Sequence, residues 1–148
     1  MNTVTGLRPI PAPECLRLLR SVPVGRIIFT KSAMPAAEPV KFAVIRGRII
    51  IRVNADSLLS TALSHTVVAF QADHLDYASN RGWTVTAVGN AREVTDLSEI
   101  SNVRGTGLEN WAAAEDDQFF AITPEIISGQ MLLVSSQSQP SRPAEPAK

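Results

Sequence analysis

The spacing of apolar residues changes along the chain from a helical period to a two-residue period. Between Ala12 and Val22 the apolar positions recur at intervals of three and four residues, which predicts one amphipathic helix. Pro13 suits the first turn of this helix, where no N–H is required, and Pro23 ends it. Residues 1–11 contain a glycine and two prolines and are predicted to form an irregular lead-in.

Short runs rich in β-branched and aromatic residues follow this helix and predict strands. Gly47, between two such runs, indicates a hairpin, and a Pro/Ala-rich loop through Met34, Pro35 and Pro39 is predicted before it. The segment 73–81 is predicted to be a polar turn. The predicted strands are 26–30, 40–45, 48–53, 66–71, 83–94, 118–123 and 126–134, the last two separated by Pro124-Glu125.

Two further helices are predicted, over 56–64 and 96–103, with Asp56 and Asp96 as their N-terminal caps. Because helices are few and the strands follow one another through short turns, the pattern predicts an all-β domain with minor α content, built as a small antiparallel barrel. Ser, Gln, Pro and Ala dominate residues 136–148, so this tail is predicted to be disordered.

Composition and charge exclude several classes of function. The chain has 148 residues, enough for one domain, and its 14 basic and 14 acidic side chains cancel, which argues against nucleic-acid binding. Cys15 is the single cysteine, so neither an intramolecular disulfide nor a cysteine-based zinc site is expected. No apolar run approaches the roughly 18 residues of a membrane span, and the N-terminus lacks a signal-peptide layout. A cytoplasmic protein without a membrane partner is expected.

Side chains that commonly perform catalysis are scarce. His65 and His74 are the two histidines, and His74 lies in a turn-like segment close to Asp73 and Asp76. Metal ligands need fixed spacing on a rigid element, so no metal is expected there. Neither histidine is paired with a plausible Ser or Cys nucleophile, and Cys15 lies on the apolar face of the predicted helix. Hydrolase chemistry therefore lacks support.

Several segments together resemble a known protein family. They are ECLRLLRSVPVGRIIF (14–29), PVKF (39–42), VVAFQAD (67–73), RGWTVTAVGNAREVTD (81–96) and ITPEIISG (122–129). Their order and spacing are similar to those of the pyridoxamine 5'-phosphate oxidase-like, FMN-binding split-barrel proteins, especially the nitroimidazole-resistance-related, actinobacterial-type members. The resemblance implies a six- to seven-stranded antiparallel split barrel with short peripheral helices over residues 12–135.

The same resemblance implies a function. Members of the family form homodimers with two cofactor sites at the subunit interface, and they use FMN or a deazaflavin to oxidise or reduce small molecules. In such proteins the flavin carries the electrons, while the fold binds and orients it. The catalytic residues and the substrate are not identified by the resemblance.

The resemblance places the cofactor-binding residues in the second and third predicted strands and the loop after them: Lys41, Phe42, Arg52, Asn54 and Ser57. In this interpretation Arg52 meets the phosphate with a two-pronged hydrogen bond, and Ser57 with the N–H groups opening the 56–64 helix completes the phosphate site. Phe42 and its strand line the flavin ring. The alternative is that Arg48 and Arg52 lie on the solvent face of a hairpin strand.

The two tryptophans, Trp83 and Trp111, are further candidates to cover the cofactor or to contact a second subunit, with core packing as the alternative. Trp83 shares one face of its strand with the small residues Ala87 and Gly89. Small residues at these positions allow another backbone or a flat ligand to approach closely.

Leu58 departs from the family pattern, because members commonly have a lysine there that supports the phosphate. Loss of one such charge-assisted bond costs about 1–3 kcal/mol, which is roughly a tenfold to hundredfold loss of affinity. Two functions therefore stay open. One is an FMN-dependent oxidoreductase; the other is a non-catalytic split-barrel dimer, with weakened or lost flavin binding, that binds a different small ligand or serves as a stress-associated protein. A haem- or deazaflavin-binding relative is a third interpretation.

Overall fold

A computed structural model of the chain describes residues 6–54, 56–57, 59–96, 98–99, 103 and 117–133. Within these ranges the elements are β1 (Gly6–Ile10), α1 (Ala12–Leu19), β2 (Val24–Lys31), β3 (Met34–Ile45), β4 (Arg48–Val53), α2 (Leu59–Ala62), β5 (Thr66–Asp76), β6 (Arg81–Glu93) and β7 (Gln118–Leu133). Trp111, the tail 136–148 and half of the predicted helix over 96–103 lie outside them. Neither described helix is long and apolar enough to cross a membrane.

One antiparallel sheet contains all seven of these strands, in the order β1-β7-β4-β3-β2-β5-β6, and it closes because β6 also pairs with β7. β7 is the strand that makes closure possible. Its first residues pair with β4 and its last residues pair with β1 on the same edge, while β6 pairs along most of the other edge. The predicted all-β, six- to seven-stranded antiparallel split barrel is therefore confirmed.

The barrel core follows the alternation predicted for β4. Ile49, Ile51 and Val53 point into the barrel and pack with the main apolar cluster. Ile50 points the other way and is buried in a second, smaller cluster with Val94, Val103 and Ala121. β4 is therefore covered on both of its faces, which the sequence pattern alone did not show.

α1 closes one side of the barrel through the apolar face that the sequence predicted. Cys15 is fully buried there, and its Sγ donates a long hydrogen bond of 3.5 Å to the Ile10 carbonyl oxygen. Burial away from water raises the pKa of the Cys15 thiol. The interpretation of Cys15 as a core residue agrees with this environment.

The predicted Pro/Ala-rich loop before the second strand is wrong, since β3 already begins at Met34. The Phe42 N–H donates to the Pro23 carbonyl oxygen on the β2 side. Backbone N–H groups along a strand point alternately to its two edges. Pro35 and Pro39 are each an odd number of residues from Phe42, so their missing N–H groups would face the edge of β3 opposite to β2. β4 pairs with β3 only over Phe42–Ile45, so this edge needs no donor at either proline.

The turn between β2 and β3 stores backbone strain that can be relieved. Ser32 and Ala33 both have positive φ, 50° and 63°, in a two-residue turn joining paired strands. This turn type favours glycine at its second position. We expect Ala33→Gly to stabilise the protein by about 0.5–1 kcal/mol, because relief of the strain exceeds the entropy that glycine adds to the unfolded chain. Urea unfolding of both proteins measures the effect; a destabilised variant would contradict it.

The two predicted C-terminal strands are one continuous strand, β7. Gly89 of β6 pairs with Pro124, but the preceding Val88 pairs with Ile126, so Glu125 is an extra residue in β7. This β-bulge accommodates Pro124 without ending the strand. The sequence signal for a break was therefore real but marked a bulge.

Two shorter elements also differ from the prediction. The lead-in contains β1, which is held by pairing with the end of β7. α2 is a single turn, and the N–H of its first residue, Leu59, is accepted by the Ser57 hydroxyl at 2.9 Å rather than by Asp56. Asp96 accepts the Ser98 N–H at 2.9 Å, as its predicted role as a cap requires.

Candidate functional site

The structure brings Lys41 and Arg52 together on one face of neighbouring strands. Phe42 pairs with Ile51, and both point into the barrel. Lys41 and Arg52 flank that pair on opposite strands, so both lie on the outside of the barrel. We call this surface, defined by Lys41, Arg52 and the β7 residue Phe119 that pairs with Arg52, the outer face.

The Arg52 side chain is buried on the outer face of its strand. Its Nε donates to Oδ2 of Asp117 at 2.6 Å, and the two side chains are only 7% and 9% exposed. The alternative interpretation of Arg52 as a surface residue is therefore wrong. Arg48, on the same side of β4, also forms an ion pair, with Glu99 at 3.0 Å. The side chains of this second pair are 22% and 27% exposed.

Asp117 is the charged residue at this site that sequence reasoning missed. It stands directly before β7 and 65 positions from Arg52. Only the pairing of β4 with the start of β7 brings the two residues together. An acidic residue next to a predicted strand was the available signal, but it does not identify its partner.

Asn54 and Ser57 form the turn that follows β4. The Asn54 side-chain oxygen accepts the Asp56 N–H, and its backbone oxygen accepts the Ser57 N–H, both at 2.9 Å. These bonds fix the turn beside the end of β4. Leu58 lies outside the described residues, and the contributions of Asn54 and Ser57 to a cofactor site stay predictions.

Phe42 lies on the inner side of β3. Its ring packs edge-on against Phe70 with 4.7 Å between centroids, and the side chain is almost completely buried. Within this chain, therefore, the backbone of β3 rather than the Phe42 ring is available to a molecule on the outer face. The role of Phe42 towards a cofactor stays a prediction.

Trp83 is buried in the main apolar cluster, as the core-packing alternative predicts, and it also lines a groove of about 320 Å³. The groove, called the Trp83 groove below, combines an apolar floor with a polar rim; its residues are His74, Asp76, Ser79, Arg81, Gly82, Trp83, Met131 and Leu132. Ligand pockets commonly measure roughly 300–1,000 Å³, so this groove has room for a small ligand or for one part of a larger one.

The rim of the Trp83 groove carries defined charges. The Ser79 side chain and the backbone N–H groups of Ala78 and Ser79 hydrogen-bond Asp76 and lower the pKa of its carboxyl. Asp76 is therefore anionic at neutral pH, and its backbone lies opposite that of Arg81 in the register of β5 and β6. The groove thus offers an acceptor and a cation around an aromatic floor.

The outer face and the Trp83 groove lie on different parts of the barrel. Arg52 pairs with Phe119 near the start of β7, whereas Trp83 pairs with Met131 near its end. On the other side of the barrel, β2 and β5 lie between β3, which carries Lys41, and β6, which carries Trp83. Lys41 lies on the outside of the barrel, whereas Trp83 packs in the main apolar cluster.

Metal-binding groups do not converge anywhere in the described ranges. No three His, Cys, Asp or Glu side chains of that part of the chain lie close enough to hold an ion. His74, the histidine considered from the sequence, lies on the rim of the Trp83 groove.

Comparisons with known proteins agree with the fold. The model of the pyridoxamine 5'-phosphate oxidase family matches residues 11–131. An uncharacterized protein of Mycobacterium tuberculosis is 36% identical over 130 residues, which cover 84% of this chain and 85% of that protein.

Solved structures show the same similarity. An FAD-binding protein from Mycobacterium smegmatis is 29% identical with a TM-score of 0.77, covering 84% of this chain and 98% of that chain. An FAD-binding protein from Mesorhizobium loti, 20% identical, shares the fold with a TM-score of 0.68 over 86% of this chain and 99% of that chain. The family resemblance inferred from the sequence is confirmed.

Proposed function

Since the chain belongs to the pyridoxamine 5'-phosphate oxidase family, we propose that it binds a flavin and is an oxidoreductase acting on a small molecule. The observation that carries the proposal is the similarity to the FAD-binding protein of Mycobacterium smegmatis, which extends over nearly the whole of that chain. A bound flavin supplies the electron transfer, so the chain needs no catalytic acid or base of its own.

The residues of the chain fit a flat ring with polar edges at the Trp83 groove. Trp83 and Met131 offer apolar contact to such a ring, and Arg81 and Asp76 offer a donor and an acceptor at its edge. The outer face fits the side chain of a flavin, since Lys41 and Arg52 are donors beside the turn of Asn54 and Ser57. FMN, FAD or a deazaflavin satisfies this general description.

We further propose a homodimer, because β2 and β5 separate the two parts of this site in one chain and the family resemblance implies cofactor sites between two subunits. A second copy would supply the outer face to the Trp83 groove of the first, and the same arrangement would repeat at the other site. Analytical ultracentrifugation tests the dimer. If the protein is a monomer at concentrations at which its flavin site is saturated, this arrangement is contradicted.

Flavin binding is tested by titrating the purified protein with riboflavin, FMN and FAD and by identifying any co-purifying molecule by mass spectrometry. Protein from a deazaflavin-producing host extends the test to that cofactor. We expect saturable binding with a flavin absorbance spectrum. A folded protein that takes up none of these molecules at millimolar concentration would refute the proposal.

Leu58→Lys tests whether a phosphate lies near the α2 turn. The family resemblance places a lysine at this position, and one added cation at an anion site raises affinity by about tenfold to a hundredfold. We expect this gain for FMN and none for riboflavin, which lacks the phosphate. Leu58→Met is the matched control, because it keeps a long side chain without the charge; an equal gain in both variants would exclude the electrostatic explanation.

The second candidate function is a non-catalytic dimer that binds a different small ligand. Two observations favour it: Leu58 replaces the usual cation, and the Arg52 guanidinium is already paired with Asp117. Reduction of the flavin-loaded protein followed by oxidation with candidate acceptors distinguishes the two functions. A dimer that binds flavin and never exchanges electrons with any acceptor would support the second.

A further inference from the structure

The Arg52–Asp117 pair sets the charge of the outer face. Both side chains are at least nine-tenths buried, and the 2.6 Å contact is a short, charge-assisted hydrogen bond. The guanidinium thus already has an anion belonging to the chain itself. With Lys41 on the same face and Asp56 in the turn after β4, these four side chains carry no net charge. A phosphate at Arg52 would have to compete with Asp117.

Asp117 also has an unused hydrogen-bonding position. Its Oδ1 is buried and has no hydrogen-bond partner within the part of the chain that the structure describes. A carboxylate is only an acceptor, so Oδ1 can be satisfied only by a donor. Buried acceptors are costly to leave unpaired, which makes a donor from a ligand favourable at this position.

A sugar-like chain and a phosphate differ in the hydrogen bonds that they can make here. Hydroxyl groups donate to carboxylates, as ribose hydroxyls do to acidic residues in dinucleotide-binding proteins. A phosphate dianion has only acceptor oxygens, and its charge is repelled by Asp117. The same pair of residues therefore favours one ligand group and disfavours the other.

From this chemistry we infer that Asp117 is a specificity-determining residue that makes the outer face select the hydroxyl-bearing chain of a flavin over a terminal phosphate. The inference rests on the proposed function and narrows it. It predicts that the phosphate of FMN brings this protein little or no affinity beyond that of riboflavin.

The experiment compares the dissociation constants of riboflavin and FMN, which differ only in the phosphate, for the wild type and two variants. Binding is measured by quenching of flavin fluorescence at constant pH and ionic strength. In the wild type we expect the two affinities to lie within about tenfold of each other. Asp117→Asn removes the competing charge, so the ratio of FMN to riboflavin affinity should rise about tenfold or more. Asp117→Glu keeps the charge and should keep the wild-type preference.

The wild type provides a second measurement if Asp117→Asn does not fold. When no net positive charge meets the phosphate, FMN and riboflavin affinities depend equally on salt concentration. A steeper salt dependence for FMN overturns the inference, as does a ratio that Asp117→Asn leaves unchanged. Wild-type protein that binds FMN or FAD but no riboflavin also overturns it, while leaving the proposed function intact. Failure to bind any flavin refutes both.

Discussion

Gly89→Ala is expected to destabilise the protein by about 3 kcal/mol, through a clash between two backbones. A Cβ on Gly89 would overlap the Thr123 carbonyl oxygen and would lie 2.8 Å from the carbonyl carbon. Pro124 is the next residue, with its Cα 3.2 Å from the added atom. Because the neighbours are backbone atoms at the β-bulge, no side-chain rotation relieves the overlap.

Thermal or urea unfolding measures this effect. For a domain of this size each kcal/mol lowers the melting temperature by roughly 2–4 °C, so a decrease near 10 °C is expected. Gly47→Ala is the control, since a Cβ there meets nothing within 4 Å and only the positive φ of 76° opposes it. That strain costs about 1 kcal/mol. A Gly89 variant no less stable than the Gly47 variant would show that β6 and β7 separate easily.

Breaking the Arg52–Asp117 pair is the second change with a large expected effect. Either Arg52→Met or Asp117→Leu leaves one buried charge without its partner, which costs about 3–5 kcal/mol. The double variant Arg52→Met/Asp117→Leu removes both charges, so we expect its free energy of unfolding to return to within about 1–2 kcal/mol of the wild-type value.

The control for this cycle is the neighbouring pair Arg48–Glu99, whose side chains are about one-quarter exposed. Arg48→Met should cost no more than about 1 kcal/mol, because water screens such a pair. Chemical denaturation of all four variants gives the free energies. If the two single variants at Arg52 and Asp117 destabilise no more than Arg48→Met, the pair is not buried in solution and the charge balance of the outer face must be revised.

Local patterns of apolar and polar residues correctly predicted much of the fold. The helical spacing from Ala12 gave α1, and the alternation along β4 correctly separated the inward Ile49, Ile51 and Val53 from the outward Arg48, Ile50 and Arg52. The turn at Gly47 was also correct. These features depend on residues within about one turn or one strand of each other, so the sequence expresses them directly.

Strands that form only by pairing with a segment far away in the chain were missed or were predicted with wrong bounds. β1 contains Gly6 and Pro9 and has little strand character; it is a strand because the end of β7 pairs with it. Pro35 and Pro39 indicated a loop, but they lie where β3 has no partner on the side of their missing donors. Both cases were decided by which edge of a strand is occupied.

For the candidate site, the sequence determined which residues share a face and where small residues permit close approach. It indicated such an approach at Gly89, and the backbone of Thr123 fills that space. Only the tertiary structure paired Arg52 with Asp117 and packed Trp83 into the main apolar cluster. The reason is physical: alternation is fixed by neighbouring residues, whereas strand register and barrel closure depend on pairing between residues far apart in the chain.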